Sequence, residues 1–297
     1  MLGAAAVWVW LHPERGSLGA ALAVVAAVAV FGGWLQRFGT VRWPVGRASG
    51  VNLEATRGVP RVWLIAHLDS KSQPIPLLMR AGGVVSSLVA WGTLFAVWAA
   101  SSRFRVPAVA IMLPAAAAVA GTVPLAWSFV SARSAGALDN GSGVVAVLRA
   151  AESLARDLPL GVLLTSAEEL GLAGARAWVM ARPSGVALNC DGVDDVGRVS
   201  VTVARDRHGE LVAAVQGARH ALRAPVPFVV RRAVPGVLLD AAAFADAGWI
   251  AATVSRGGWR SLARVHTAAD ERARLRGDGV DGVARLLAGI AGAMITA

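Results

Sequence analysis

Residues 163–174 read LLTSAEELGLAG, which sets Glu168 and Glu169 side by side where an apolar run gives way to glycines. Like charges in a poorly solvated place repel, and each raises the other's pKa. A chain with only 19 acidic residues that pairs two of them at the end of a buried run needs something positive beside them. The other residues able to ligate a metal occupy comparable places. His67 and Asp69 close the run PRVWLIAHLD, Asp139 opens a helix beginning near Ser142, Asp191 closes SGVALNCDG, and His266 follows GWIAATVSRG. Imidazole and carboxylate together suit zinc, with three or four protein ligands leaving a position for water.

These residues need elements to carry them. The runs PRVWLIAHLD, LGVLLTSAEE, SGVALNCDG and GWIAATVSRG are short, apolar and end in polar or glycine residues, as buried strands do. GSGVVAVLRAAESLARDL places Val144, Val147, Leu148, Ala151 and Leu154 at helical spacing. GDGVDGVARLLAGIAGAMITA reads as a C-terminal helix packed on the sheet, with Asp278 as its cap. Strands alternating with helices predict an α/β fold, a three-layer αβα sandwich with a mostly parallel central sheet. Ligands of such sheets bind at the carboxyl ends of the strands, where the polar residues named above converge.

The segments AHLDS, GALDNGSG, TSAEELGLAGARAW, NCDG and VHTAAD occur in the order and form of the M28 family of zinc aminopeptidases, which the chain resembles over residues 50–80 and 131–297. The resemblance implies two zinc ions bridged by Asp139, one held also by His67 and Asp191, the other by Glu169 and His266. Glu168 would bind no metal and act as general base on the attacking water. Asp69 would accept the second N–H of His67 and fix its tautomer. The family further implies a cis peptide between Asp139 and Asn140. On this reading the two glutamates differ because zinc neutralises one and not the other. The chain departs from the family at residue 241. There Ala241 follows the matching acid, Asp240, in place of a histidine. No tyrosine is available to stabilise an oxyanion.

Each residue also has a structural reading. Asp139 before NGSG can cap a helix, and Thr267 with Asp270 can form a cap beside a surface His266. Independent caps do not account for five motifs in family order. His12, His208 and His220 read as surface residues, Cys190 as a buried small side chain, and Asp194 and Asp195 as turn residues.

The rest of the chain is unusually apolar: 56% hydrophobic and 16% charged over 297 residues. Residues 17–35 carry no charge and approach the length of a bilayer span. Residues 81–100 and 106–130 are also uncharged and are separated only by SSRFR, which predicts a transmembrane hairpin. That hairpin accounts for the long interval between His67 and Asp139 and puts the active site beside the bilayer. The apolar stretch MLGAAAVWVWL is too short to span and reads as a truncated helix, a re-entrant piece or the lead of a signal anchor. The domains are therefore 1–45, an N-terminal membrane part; 46–80 with 131–297, the catalytic domain; and 81–130, the inserted hairpin. The net charge of +10 comes almost wholly from scattered arginines, which argues against nucleic acid and for a membrane surface. Arg37, Arg42, Arg47, Lys71, Arg80 and Arg133 outnumber Arg15, Arg103 and Arg105, a small margin favouring a cytoplasmic catalytic domain. The expected partners are a peptide substrate and the lipid bilayer, and the sequence leaves the oligomeric state open. The alternatives are a membrane scaffold that kept the fold without catalysis, and a single-zinc transferase like the glutaminyl cyclases.

Overall fold

A computed structural model describes residues 1–34, 49–204, 209–222, 226–234 and 237–297. Arg37, Arg42, Arg47 and His208, together with the proposed boundary at 45/46, lie outside the described residues. The chain divides into two units, Met1–Gly39 with Gln73–Ser131, and Thr40–Ser72 with Ala132–Ala297.

The first unit is helical: α1 (Leu2–Leu11), α2 (Arg15–Trp34), α3 (Leu77–Ala100) and α4 (Val109–Ala126). Its interior is made of Leu18, Trp91, Leu94, Ile111 and alanines such as Ala115 and Ala118. Its outer face stays apolar, with Leu88, Phe95 and Leu113 exposed, the inverse of a water-soluble bundle. Pro114 and Pro124 lie inside α4, a placement that membrane helices accept because neighbours satisfy the freed carbonyls. Small residues set the crossing of α3 and α4. A Cβ on Gly121 would stand 2.5 and 2.6 Å from the hydroxyls of Ser86 and Ser87 and 2.9 Å from the Gly83 carbonyl oxygen. Close backbone approach of this kind is the usual packing device between helices in lipid. Gly121→Ala must therefore push the hairpin apart, an overpacking cost of about 1–3 kcal/mol. Gly92→Ala, on α3 with nothing within 4 Å, is the control. Thermal unfolding of the detergent-purified protein should show a lowered transition for the first and none for the second.

The second unit is a seven-stranded sheet in the order β1-β3-β2-β4-β7-β5-β6. The strands are β1 (Leu53–Arg57), β2 (Val62–His67), β3 (Leu160–Thr165), β4 (Val186–Val193), β5 (Arg198–Val203), β6 (Phe228–Arg232) and β7 (Ile250–Gly257). The four runs picked out by their apolar pattern are β2, β3, β4 and β7, and they form the parallel centre. β1 closes one side antiparallel to β3, while β5 runs antiparallel to β7 and carries β6 parallel to itself.

Helices cover both faces. Along β2, Val62, Leu64 and Ala66 face a layer built from α5 (Ser142–Ser153), α7 (Gly209–Ala218) and α10 (Asp278–Thr296). Trp63 and Ile65 face α6 (Ala173–Val179) and α8 (Asp240–Asp246). This is the period-two alternation of a strand buried on both sides. In the second layer Trp178 meets Trp63 edge-on at 4.6 Å between ring centres, with Phe244 and Trp249 at 5.8 and 5.9 Å. Gly161 makes room for this cluster, since a Cβ there would lie 2.3 Å from the Trp63 ring.

Among the described residues, four helices, α2, α3, α4 and α10, are long and apolar enough to cross a membrane by length and composition. The last differs from the others in burying Val283, Leu286, Leu287 and Ile290 in the sheet's own core. Asp278 is the first residue of α10 and not its cap, contrary to the sequence reading: the N-cap position is Gly277, and the Asp278 carboxylate pairs with Arg276 at 3.2 Å. The carboxylate of Asp195 does that work instead, accepting the N–H groups of Arg276, Gly277 and Gly279 at 2.6–3.1 Å.

Candidate metal centre

The site is assembled at the carboxyl ends of the parallel strands. His67 is the last residue of β2, Glu168 and Glu169 follow β3, and Asp191 lies near the end of β4. Asp139 sits in the short irregular turn Ala137–Gly141 ahead of α5. His266 follows α9 (Trp259–Arg264), the helix after β7.

Several side chains hold the Asp139 turn in place. The Asp139–Asn140 peptide is cis, as the family resemblance implies. Asp270 accepts the N–H groups of Leu138 and Asp139 at 2.6 and 3.1 Å. Asn140 donates to the Cys190 carbonyl at 2.9 Å and accepts from Gly192 at 3.1 Å, fastening the turn to β4. Sequence reading allowed Asp270 only a local cap beside Thr267, because nothing in VHTAAD points to a backbone 131 residues away.

The paired glutamates are clamped in a comparable way. Asp69 accepts the N–H of Glu168 at 3.0 Å and of Glu169 at 3.1 Å, one on each carboxylate oxygen. Nδ1 of His67 lies 3.0 Å from the main-chain carbonyl of Asp69 and 3.7 Å from its carboxylate. The near partner of the imidazole is thus the Asp69 backbone, and the carboxylate that was expected there holds the Glu168–Glu169 loop. Among the described residues, the non-glycine positions with left-handed backbone are Ala167, Leu172 and His266. All three lie in the site's loops, and such conformations cost about 1–3 kcal/mol each where the fold imposes them.

The functional atoms converge. Nε2 of His67 is 3.1 Å from Asp139 Oδ1 and 3.7 Å from Asp191 Oδ1. Nε2 of His266 is 3.0 Å from Asp139 Oδ2 and 2.7 Å from Glu169 Oε1. Two groups of donors able to hold a metal result, His67–Asp139–Asp191 and Asp139–Glu169–His266, and in each the ligand atoms lie within 4.8 Å of one another. Asp139 belongs to both, one oxygen toward each histidine. The two groups thus contain all five residues named as ligands, while Glu168 lies in neither.

The donor set fits cations by its chemistry. Among the described residues, His67 Nε2 and Glu169 Oε1 are buried and receive no well-directed hydrogen bond, although charged groups stand 3.1 and 2.7 Å from them. Atoms left in that state favour a bound cation over a polar core. Electrostatics agree. Burial pulls the His67 imidazole down, but the carboxylates of Asp139, Asp191 and Asp69 gathered around it outweigh burial and lift its pKa well above the ordinary value. Burial likewise opposes the rise of His266, which Asp139 and Glu169 carry upward. Burial would raise Asp139, yet His266 and His67 hold it far below the usual carboxylate range. Burial lifts Asp191, with Asp139 and Glu169 adding to it.

Glu168 is a separate case. Its side chain is buried, and burial together with the charges of Asp191, Asp240 and Glu169 raises its pKa well above a normal glutamate, with His67 opposing. A carboxyl tuned upward in this way suits proton transfer near neutral pH. Asp240 is fully buried, receives the Thr165 hydroxyl, and burial pushes it up to about 6. Asp194 is buried and accepts from Ser261 and Arg264 of α9, a structural tie and not a solvated turn, and Asp195 serves the start of α10. His12 and His220 are exposed and Cys190 is buried.

An α/β sheet with carboxylates and imidazoles gathered at its strand ends is the arrangement of a candidate metal centre. Residues 51–291 match the model of peptidase family M28, and the chain belongs to that family. No curated protein sequence matches it. Similar solved structures include the aminopeptidase from Aneurinibacillus sp. strain AM-1 (TM-score 0.51, 16% identity), covering 80% of this chain and 46% of that one. The zinc aminopeptidase BSAP from Bacillus subtilis also matches (TM-score 0.51, 18% identity, 80% and 48%). So does the Porphyromonas gingivalis glutaminyl cyclase (TM-score 0.51, 14% identity, 80% and 76%). The chain thus spans about half the length of these two aminopeptidases.

Proposed function

We propose that this protein is a membrane-anchored di-zinc metallopeptidase, an aminopeptidase that removes N-terminal residues from peptides. The observation that carries the reading is the pair of donor groups sharing Asp139. His67, Asp139 and Asp191 would hold one zinc, and Asp139, Glu169 and His266 the other, each with three protein ligands and open positions. Zinc bound there supplies an activated water at neutral pH and polarises the scissile carbonyl.

The chain's own residues do the rest. Glu168 takes the proton of the attacking water on its carboxylate and returns it to the leaving nitrogen. Asp69 is a positioning residue. By holding the N–H groups of Glu168 and Glu169 on its two oxygens, it fixes the base relative to the neighbouring ligand. Asp270 fixes Asp139 through the backbone in the same sense. Anchoring rests on α2, α3 and α4, which have the length and composition of membrane spans and, at Leu88, Phe95 and Leu113, an exposed apolar face.

The test is zinc content and hydrolysis of aminoacyl amides by the detergent-purified protein. Two zinc ions per chain with turnover is the expected result. Because His67 and His266 have raised pKa values without metal, zinc must displace protons, so its affinity should climb with pH through those values. Full loading without turnover would leave the scaffold reading standing, and a stoichiometry of one would favour cyclase-like chemistry.

A further inference from the structure

Lys71 is the only lysine in the chain, and it stands inside the site. Its Nζ lies 2.6 Å from Oε2 of Glu169, with the lysine side chain 20% exposed and the glutamate 7%. The other oxygen of Glu169 faces His266 at 2.7 Å. Both carboxylate oxygens are therefore committed, one toward the metal position and one to a fixed ammonium.

We propose that Lys71 makes Asp139–Glu169–His266 the weaker, exchangeable metal position, so that the two sites load in order rather than together. The inference rests on the di-zinc reading. The two donor groups are otherwise alike, each one imidazole and two carboxylates with Asp139 in common. They differ in that Lys71 contacts a ligand of the second group. A zinc arriving there meets one extra positive charge at the far side of its glutamate. It must either share Glu169 with Lys71, taking a single oxygen, or break a short ion pair to take both. Each route costs affinity, since the pair is largely withdrawn from water and weakly screened. The first group bears no such cost, because the ring of His67 is backed by the carbonyl of Asp69 at 3.0 Å and the Asp69 carboxylate at 3.7 Å, neither of them cationic.

The functional consequence is a hydrolase whose second metal responds to the ambient zinc concentration. The lysine's position just after the His67–Asp69 segment puts this control in the same loop as a ligand of the tight site.

Zinc binding to the full-length protein, followed by calorimetry with chelator competition, tests this without reference to turnover. Wild-type protein should bind one zinc tightly and a second at least tenfold more weakly. Lys71→Met keeps most of the side-chain volume and removes the charge; it should tighten the second site tenfold or more and leave the first unchanged. Lys71→Arg keeps the charge and should behave as wild type. An unchanged or weakened second site in Lys71→Met, with two zinc ions still bound, would overturn the role of Lys71 alone. An equal shift at both sites would overturn it too, by showing a general disturbance of the loop. Wild-type protein that binds no second zinc at any concentration would instead overturn the di-zinc reading on which the inference stands.

Discussion

Glu168→Gln should lower kcat/KM by roughly 10²–10⁴-fold, the range a general base contributes, while the protein still binds two zinc ions. The substitution preserves shape and leaves untouched the backbone N–H that Asp69 accepts at 3.0 Å. It removes only the ability to hold a proton. Burial and the carboxylates of Asp191, Asp240 and Glu169 raise Glu168, so its ionised fraction falls as pH drops through that raised value. The wild-type pH–rate profile should therefore have an acid limb that is missing from whatever activity the mutant retains. Loss of activity accompanied by loss of zinc would mean that Glu168 is a ligand. Equal activity in the two proteins would refute the assignment of the base.

The sheet's centre was readable from sequence because each of its four parallel strands is a short apolar run that stops at a polar residue. β2 illustrates why: all six of its residues are buried, so the run must be apolar, and His67 ends it because that is where the crevice begins. The two outermost strands carry no such mark. β1, LEATR, is largely exposed, and β6, FVVRR, has two exposed arginines, so neither shows the pattern that betrays a buried strand. α5 also stops at Ser153, short of the helical spacing, which continues to Leu154. Leu154 is extended, and the segment must turn before Pro159 leads into β3.

At the site, residue types and order named the atoms that now face one another, but not what holds them there. Asp69, Asp270 and Lys71 act on partners 98 to 132 positions away in the chain. Such contacts are products of the fold, and only a carboxylate's or ammonium's presence, not its partner, is written locally. The Asp69 case shows the limit well. Its spacing from His67 invites a side-chain bond to the imidazole, yet its backbone reaches the ring while its carboxylate turns to two amides from the next strand's loop.

Asp139→Asn tests the arrangement more severely than any other single change. Oδ1 of Asp139 lies 3.1 Å from His67 and Oδ2 3.0 Å from His266, so one substitution removes a negative charge from both donor groups. Each position would be left with one carboxylate, one imidazole and a neutral amide oxygen or nitrogen. Losing an outer partner of a metal ligand already costs about 10–100-fold in affinity. Losing a charged ligand from both sites should weaken both by at least roughly 100-fold and abolish measurable turnover. Glu169→Gln and Asp191→Asn supply the contrast, because each belongs to one group only and should weaken one site while the other keeps its zinc. The loss in Asp139→Asn should therefore exceed either. The fold should survive, since Asp270 holds residues 138 and 139 through their N–H groups and not through the Asp139 side chain; an unchanged far-ultraviolet circular dichroism spectrum checks this. If Asp139→Asn gave up one zinc and retained the other at wild-type affinity, the carboxylate would belong to a single site, and the shared-ligand geometry would have to be abandoned.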